Sequence, residues 1–96
     1  MIIYVDIDNT ICTTINGGYE NSVPIQENIN KINRLFNEGN TIIYWTARGR
    51  ITRKNWSELT RKQLKDWGCR FTELDDKTKP SWDLLIDDLT KRIEEL

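Results

Sequence analysis

Asp6 and Asp8 stand one residue apart in the run Asp6-Ile7-Asp8-Asn9-Thr10, directly after the apolar stretch Ile2-Ile3-Tyr4-Val5. Two carboxylates at the end of a buried strand repel each other and lose hydration, so their pairing is costly unless a cation or a reaction requires it. Metal-assisted chemistry is therefore the first reading of this segment. Thr46 closes a second apolar run, Thr41-Ile42-Ile43-Tyr44-Trp45, and Asp87-Asp88 close a third at 82–86, with Lys79 just ahead of it. If these runs are parallel strands, their carboxyl ends share one edge, and Asp6, Asp8, Thr46, Asp87 and Asp88 converge although they are far apart in the chain. Four carboxylates in one crevice call for positive charge. A hard divalent cation with oxygen ligands supplies it, and Mg²⁺ commonly binds through one or two carboxylates together with waters and phosphate oxygens.

The elements that must position these residues alternate between strand and helix. A short apolar run rich in β-branched residues, such as Ile2 to Val5, reads as a strand buried on both faces, the kind found in parallel sheets. The polar stretch 12–23 reads as a small flap, since Asn16-Gly17 suits the left-handed dihedrals of a tight hairpin turn. A helix follows, opened by Pro24 near its first turn and closed by Gly39, with Ile25, Ile29, Ile32 and Phe36 on one face. After the second strand a basic loop at 48–54 leads to a helix with the apolar stripe Trp56, Leu59, Leu64 and Trp67, stopped by Gly68. A short third strand is expected at 70–72, the fourth at 82–86, and a short helix at the C-terminus. No repeats or low-complexity segments interrupt this order.

Composition narrows the chemistry. The chain has 96 residues, one domain's worth (1–96), and can bury roughly 60–70% of its unfolded surface. With 14 basic and 15 acidic residues the net charge of -1 gives no general attraction to nucleic acid or to an anionic membrane, so any anion binding must be local. Histidine is absent, which removes histidine-based triads and histidine-ligated metals. Cys12 and Cys69 have no zinc or disulfide spacing and read as small apolar filler in a reducing, cytoplasmic setting. No apolar stretch reaches the length of a membrane span and no charged leader precedes the first strand, so a soluble, unexported protein is expected.

The ordered motifs resemble those of the haloacid dehalogenase (HAD) superfamily, most of whose members are magnesium-dependent phosphohydrolases. Asp6-Ile7-Asp8-Asn9-Thr10 matches the first motif, Thr46 the second, Lys79 the third and Asp87-Asp88 the fourth, so the similarity spans nearly the whole chain. Thr46-Ala47-Arg48-Gly49 and Lys79-Pro80-Ser81-Trp82-Asp83 further resemble small capless members linked to capsule and polysaccharide biosynthesis. The resemblance implies an α/β fold: a small, HAD-like Rossmannoid three-layer sandwich with a short parallel sheet, a β-hairpin flap at 11–23 and no cap domain. It also implies roles. Asp6 is the expected nucleophile, forming an aspartyl-phosphate. Asp8 is the expected general acid and then base, with its backbone carbonyl on the metal. Thr46 donates to the transferring phosphoryl group and Lys79 stabilises its charge. Mg²⁺ is the expected cofactor, held by Asp6, Asp8 and the terminal pair; Asp88 is the direct ligand of that pair, or Asp87 is. Thr10, Ala47 and Arg48 are candidate substrate contacts.

Each role has an ordinary competitor. An Asp-x-Asp pattern can be a solvated turn, Thr10 a turn hydroxyl and Thr46 a structural cap. Lys77 rivals Lys79, and Asp83 supports its motif rather than touching substrate. Arg48, Arg50, Arg53 and Lys54 bind a phosphate or form a solvated face, and the four tryptophans serve packing, leaving Tyr19 as the flap aromatic to watch.

Without a cap the site excludes water poorly, so it suits large or end-exposed substrates or takes closure from a second subunit of a homo-oligomer. The expected partner is a small phosphorylated metabolite such as a sugar phosphate. Three alternatives have discriminating features. A phospho-accepting receiver module uses similar residues in a different strand order. A non-catalytic binding or scaffold protein need not keep both Asp6 and Asp8. A phosphatase of nucleic-acid ends is encouraged only by the basic loop, and its turnover would be sensitive to salt.

Overall fold

The first apolar run does form a strand, and it takes an interior place in a parallel sheet. The computed structural model describes residues 1–48, 55–75 and 84–86. In chain order these hold β1 (Ile2–Asp6), the flap strands β2 (Cys12–Thr13) and β3 (Val23–Pro24), helix α1 (Gln26–Asn37), β4 (Thr41–Trp45), helix α2 (Ser57–Asp66), β5 (Glu73–Asp75) and β6 (Leu84–Ile86). The four long-range strands pair in the order β5-β4-β1-β6, every neighbour parallel. Val5 lies beside Tyr44 on one side and Ile86 on the other, and Asp6 lies beside Trp45. The chain thus steps from β1 to β4 to β5 in one direction and returns to the far side of β1 for β6. Where strand order reverses, connections leave the sheet in opposite directions and open a crevice at the carboxyl ends. Asp6 ends the strand at that reversal.

The core lies between the sheet and the two helices. Ile3 and Val5 of β1, Ile42 and Tyr44 of β4, Ile86 of β6, Ile29 and Ile32 of α1 and Leu64 of α2 form one buried cluster. Each such aliphatic side chain contributes about 1.5–3 kcal/mol by leaving water. A strand buried on both faces, expected for the first run, is found instead in β4, where Ile42, Ile43 and Tyr44 are all buried. In β1 only Ile3 and Val5 are buried, while Ile2 is exposed and Tyr4 half-buried. Consecutive right-handed crossovers in one direction put their helices on the same face. The Asn33 side chain of α1 accordingly donates to Gly68 O at 2.9 Å and accepts from Arg70 N at 2.8 Å, tying α1 to the end of α2. The short helix expected at the C-terminus lies outside the described residues.

Helix boundaries follow local chemistry. α1 and α2 end in the same way, with Gly39 (φ +98°) and Gly68 (φ +76°) in the left-handed region. Asn40 N donates to Leu35 O and Gly39 N to Phe36 O; Cys69 N donates to Leu64 O and Gly68 N to Lys65 O. These are the paired bonds of a glycine-terminated helix, which satisfy carbonyls that the helix leaves unpaired. Pro24, expected near the first turn of α1, lies before the helix instead, in β3 opposite Cys12. A proline fits there because a two-residue flap strand requires no ladder donor from it. The third strand comes slightly later than 70–72. Thr72 already bonds Ile42 at both ends, through its amide at 2.7 Å and its hydroxyl at 3.1 Å, and the strand proper continues from Glu73.

Candidate functional site

Beyond Asp6 the backbone curls before it can continue as strand. Thr10 N and Ile11 N both donate to Ile7 O, at 3.1 and 3.0 Å, and Asn9 N donates to Cys12 O at 2.8 Å. Asn9 sits at φ +63°, a conformation that asparagine tolerates better than most residues. The curl buries Ile7 completely and leaves Asp6 and Asp8 half-buried on either side of it. Asp6 Oδ1 accepts from the Ile7 amide at 2.9 Å.

The flap closes over Asp8. The Ile15-Asn16-Gly17-Gly18 turn has both central residues at positive φ, 51° and 71°, and Gly18 N donates to Ile15 O at 3.0 Å, as the Asn-Gly pair predicts. The paired strands, however, are only Cys12–Thr13 and Val23–Pro24, with a short 3-10 turn at Tyr19–Asn21 between the tight turn and β3. Thr14 of the flap donates its hydroxyl to Asp8 Oδ1 at 2.7 Å and contacts Ser22 Oγ at 2.6 Å.

Asp8 has its strongest partner forty positions along the chain. The Arg48 guanidinium donates from Nε to Asp8 Oδ2 at 3.0 Å and from Nη2 to Oδ1 at 2.7 Å, a two-pronged contact matched to a carboxylate. Its remaining nitrogen, Nη1, donates to Thr60 Oγ1 at 3.1 Å and to Gln63 Oε1 at 2.6 Å, both on α2. The Arg48 side chain is fully buried, while that of Asp8 retains 23% exposure. Above the guanidinium lies the Tyr19 ring, 4.6 Å from Cζ to its centroid, close enough for cation–π attraction. Gln63 Nε2 donates to Tyr19 O at 2.6 Å, and Trp56 packs edge-on against the Tyr19 ring at 4.9 Å. Flap, β1 loop and α2 therefore meet on a single arginine.

Of the expected site residues, Asp6, Asp8, Thr46 and Arg48 come to the carboxyl edge together, and Ala47 lies exposed between the last two. Thr46 is buried; its amide donates to Asp75 O at 3.1 Å and its hydroxyl accepts from Arg48 N at 3.1 Å. The threonine thus serves as the local cap that was its competing role, while the hydroxyl hydrogen is not used by that bond. Thr10 is buried, and its hydroxyl has no hydrogen-bond partner among the described residues. Lys79, Asp87 and Asp88 lie outside the described residues, as do Gly49, Arg50, Arg53 and Lys54. Arg48, a candidate substrate contact, spends all three of its nitrogens inside the protein.

Thr14, Thr60 and Gln63 were not singled out by residue type. Thr60 and Gln63 did carry a signal: they share with Leu64 and Trp67 the face of α2 that turns inward, and polar side chains on a buried stripe require partners. Neither thiol is set up as a nucleophile. Burial pushes Cys12 above its ordinary range, and burial raises Cys69 to about 11.

No family model matches the chain, and no curated protein matches it. The chain is similar to a solved structure, the crystal structure of a structural-genomics target from Vibrio cholerae, with a TM-score of 0.64 and 20% identity over 78% of this chain and 68% of that one. At that identity the likeness concerns the fold alone, an α/β domain with a short parallel sheet. Among the described residues no helix is long and apolar enough to cross a membrane.

Proposed function

We propose that the chain is a HAD-type, Mg²⁺-dependent phosphohydrolase that acts through an aspartyl-phosphate on Asp6, with a sugar phosphate or related metabolite as substrate. The observation that carries the reading is the position of Asp6 and Asp8 at the strand-order reversal, where β1 stands between β4 and β6 and Asp8 is held in a fixed orientation by Arg48 and Thr14. The nucleophile attacks phosphorus through a carboxylate oxygen of Asp6, the P–O bond to the leaving group breaks, and Asp8 delivers a proton to the departing oxygen. In the second displacement Asp8 takes a proton from water as that water attacks the same phosphorus, which restores the Asp6 carboxylate. Oδ2 of Asp8 receives one hydrogen bond while Oδ1 receives three, from Thr14, Arg48 and, at 3.8 Å, the Cys12 thiol, so Oδ2 is the oxygen better placed to exchange a proton. The Thr46 hydroxyl and Lys79 would hold the phosphoryl oxygens.

The donor set suits a hard cation, being carboxylate and carbonyl oxygen with no histidine in the chain. Asp6, the Asp8 backbone carbonyl and Asp88, with Asp87 beside it, would hold Mg²⁺; the Asp8 side-chain oxygens are taken up by Arg48 and Thr14. When bound, the ion neutralises phosphate charge so that an anionic nucleophile meets less repulsion.

Phosphate release from a panel of sugar phosphates, nucleotides and phosphorylated DNA ends, with Mg²⁺ and with a chelator, tests the reading. Release that requires the metal and disappears in Asp6→Asn supports it, and the ranking of the panel picks the substrate class. Silence on every ester with metal present returns the chain to a binding or scaffold role. The inward turn of Arg48 removes one of the charges that favoured nucleic-acid ends, and a rate insensitive to salt would remove that alternative.

A further inference from the structure

Arg48 is an odd residue to bury. Its side chain has no exposure, and the one carboxylate paired with it among the described residues belongs to the proposed acid–base residue. A buried guanidinium needs its donors satisfied, and here the remaining nitrogen is satisfied by two polar side chains of α2. Thr60 and Gln63 are the buried polar residues of α2, and both accept from Nη1. Gln63 uses its other end to donate to the flap at Tyr19 O, and the ring of that same tyrosine covers the guanidinium. A single glutamine thereby fastens both the arginine and the aromatic residue that lies on it.

We propose that Gln63 and Tyr19 are positioning residues: together they hold Arg48, and through Arg48 they fix the orientation of Asp8, so that the flap and α2 set the geometry of the acid–base carboxylate. The proposal rests on the functional reading above for its kinetic consequence, and on geometry alone for its structural one. Two links are in series. The first runs from Gln63 and Tyr19 to the guanidinium, and the second from the guanidinium to both oxygens of Asp8. Thr14 makes a separate contact, from the flap directly to Asp8 Oδ1 at 2.7 Å, so the carboxylate is held both by the flap and by Arg48. Neither Gln63 nor Tyr19 needs to touch substrate for this effect. Proton transfer requires heavy atoms within about 3 Å and aligned, so small reorientations of Asp8 are costly to the chemical step while leaving ground-state binding nearly unchanged.

Gln63→Met keeps the length of the side chain and removes both contacts; Gln63→Glu keeps an acceptor for Arg48 but has no donor for Tyr19 O. Tyr19→Phe keeps the ring face, and Tyr19→Leu removes it. With a small phosphate ester, p-nitrophenyl phosphate, and Mg²⁺, kcat is expected to fall about tenfold or more in Gln63→Met and Tyr19→Leu with KM changed less than about twofold, to fall less in Gln63→Glu, and to stay near wild type in Tyr19→Phe. A rise in KM with kcat preserved would overturn the proposal, because it would make these residues substrate contacts. The second readout needs no activity. The Arg48 Nε–H resonance, assigned by its loss in Arg48→Lys, should be sharp and slow to exchange with solvent in the wild type and in Tyr19→Phe, and broadened or lost in Gln63→Met, in protein that still melts cooperatively. A resonance unchanged in Gln63→Met overturns the clasp whatever the enzyme does. If instead the wild type turns over no ester while the resonance responds as expected, the functional reading fails and the positioning of Asp8 stands.

Discussion

The interior of the sheet and its carboxyl edge are built on opposite principles. Beneath the edge, Ile3, Val5, Ile29, Ile32, Ile42, Leu64 and Ile86 meet through apolar contact alone. Such contact is not directional, and any side chain of similar volume serves nearly as well. At the edge, Asp8, Thr14, Arg48, Thr60 and Gln63 are fixed by donors and acceptors whose geometry admits few substitutes. A buried ion pair adds little net stability over an apolar pair of the same shape, yet it is expensive to break from one side. The difference teaches that stability resides in the interior while orientation is spent at the edge. The edge keeps its charges for what they position.

Substitutions in each region should separate along that line. Ile32→Ala, deep in the interior, should destabilise by about 2–5 kcal/mol in denaturant unfolding while leaving KM of the folded protein unchanged. Arg48→Met, at the edge, should cost about 2 kcal/mol, less than the 3–5 of a fully buried pair because Asp8 keeps some contact with water. Adding Asp8→Asn to Arg48→Met should restore part of that stability, and a double-mutant cycle measures the return; strict additivity would mean that the two side chains do not interact in solution. Gly39→Ala, at the C-terminus of α1, should cost about 1–2 kcal/mol, since a side chain meets no atom there and only the left-handed backbone resists it. Its turnover should equal wild type, because the C-terminus of α1 lies at the amino edge of the sheet.

A further expected effect concerns pH. Burial raises the Cys69 thiol from 9.0 to about 11, so the folded protein holds this proton where the unfolded chain has released it. The unfolded state binds fewer protons between these values, and stability falls as pH rises. The contribution is fully present below pH 9 and lost by about pH 11. Cys69→Ala should flatten the fall in melting temperature across that window. A slope identical to wild type would show that other groups govern it.

Much of the frame was legible from the chain because period and punctuation carry it. The strands β1 and β4, the glycine stops at Gly39 and Gly68 and the positive-φ turn at Asn16-Gly17 stand where apolar runs and turn residues placed them. Asp6, Asp8 and Thr46 meet because parallel strands share an edge. The pairing of Asp8 with Arg48 was not legible, since residues forty positions apart are brought together by the fold and no local pattern records it. Thr14, Thr60 and Gln63 escaped notice for a related reason: hydroxyls and amides are ordinary surface residues until burial gives them one partner. The offset of β5 reflects the weak strand signal of Glu73-Leu74-Asp75, which is set by pairing with β4 more than by its own propensity. Lys79, Asp87 and Asp88, which complete the expected site, lie outside the described residues.

The most direct test of the central claim is to look for the phosphoryl group on Asp6. Protein mixed with a turned-over phosphate ester and Mg²⁺, quenched in acid and reduced with borohydride, should yield homoserine at position 6 in the peptide map, and Asp6→Asn should yield none and release phosphate at least about 10³-fold more slowly, a loss of roughly 4 kcal/mol in transition-state stabilisation. Phosphate release that continues in Asp6→Asn, or a modified residue elsewhere in the chain, would contradict the account.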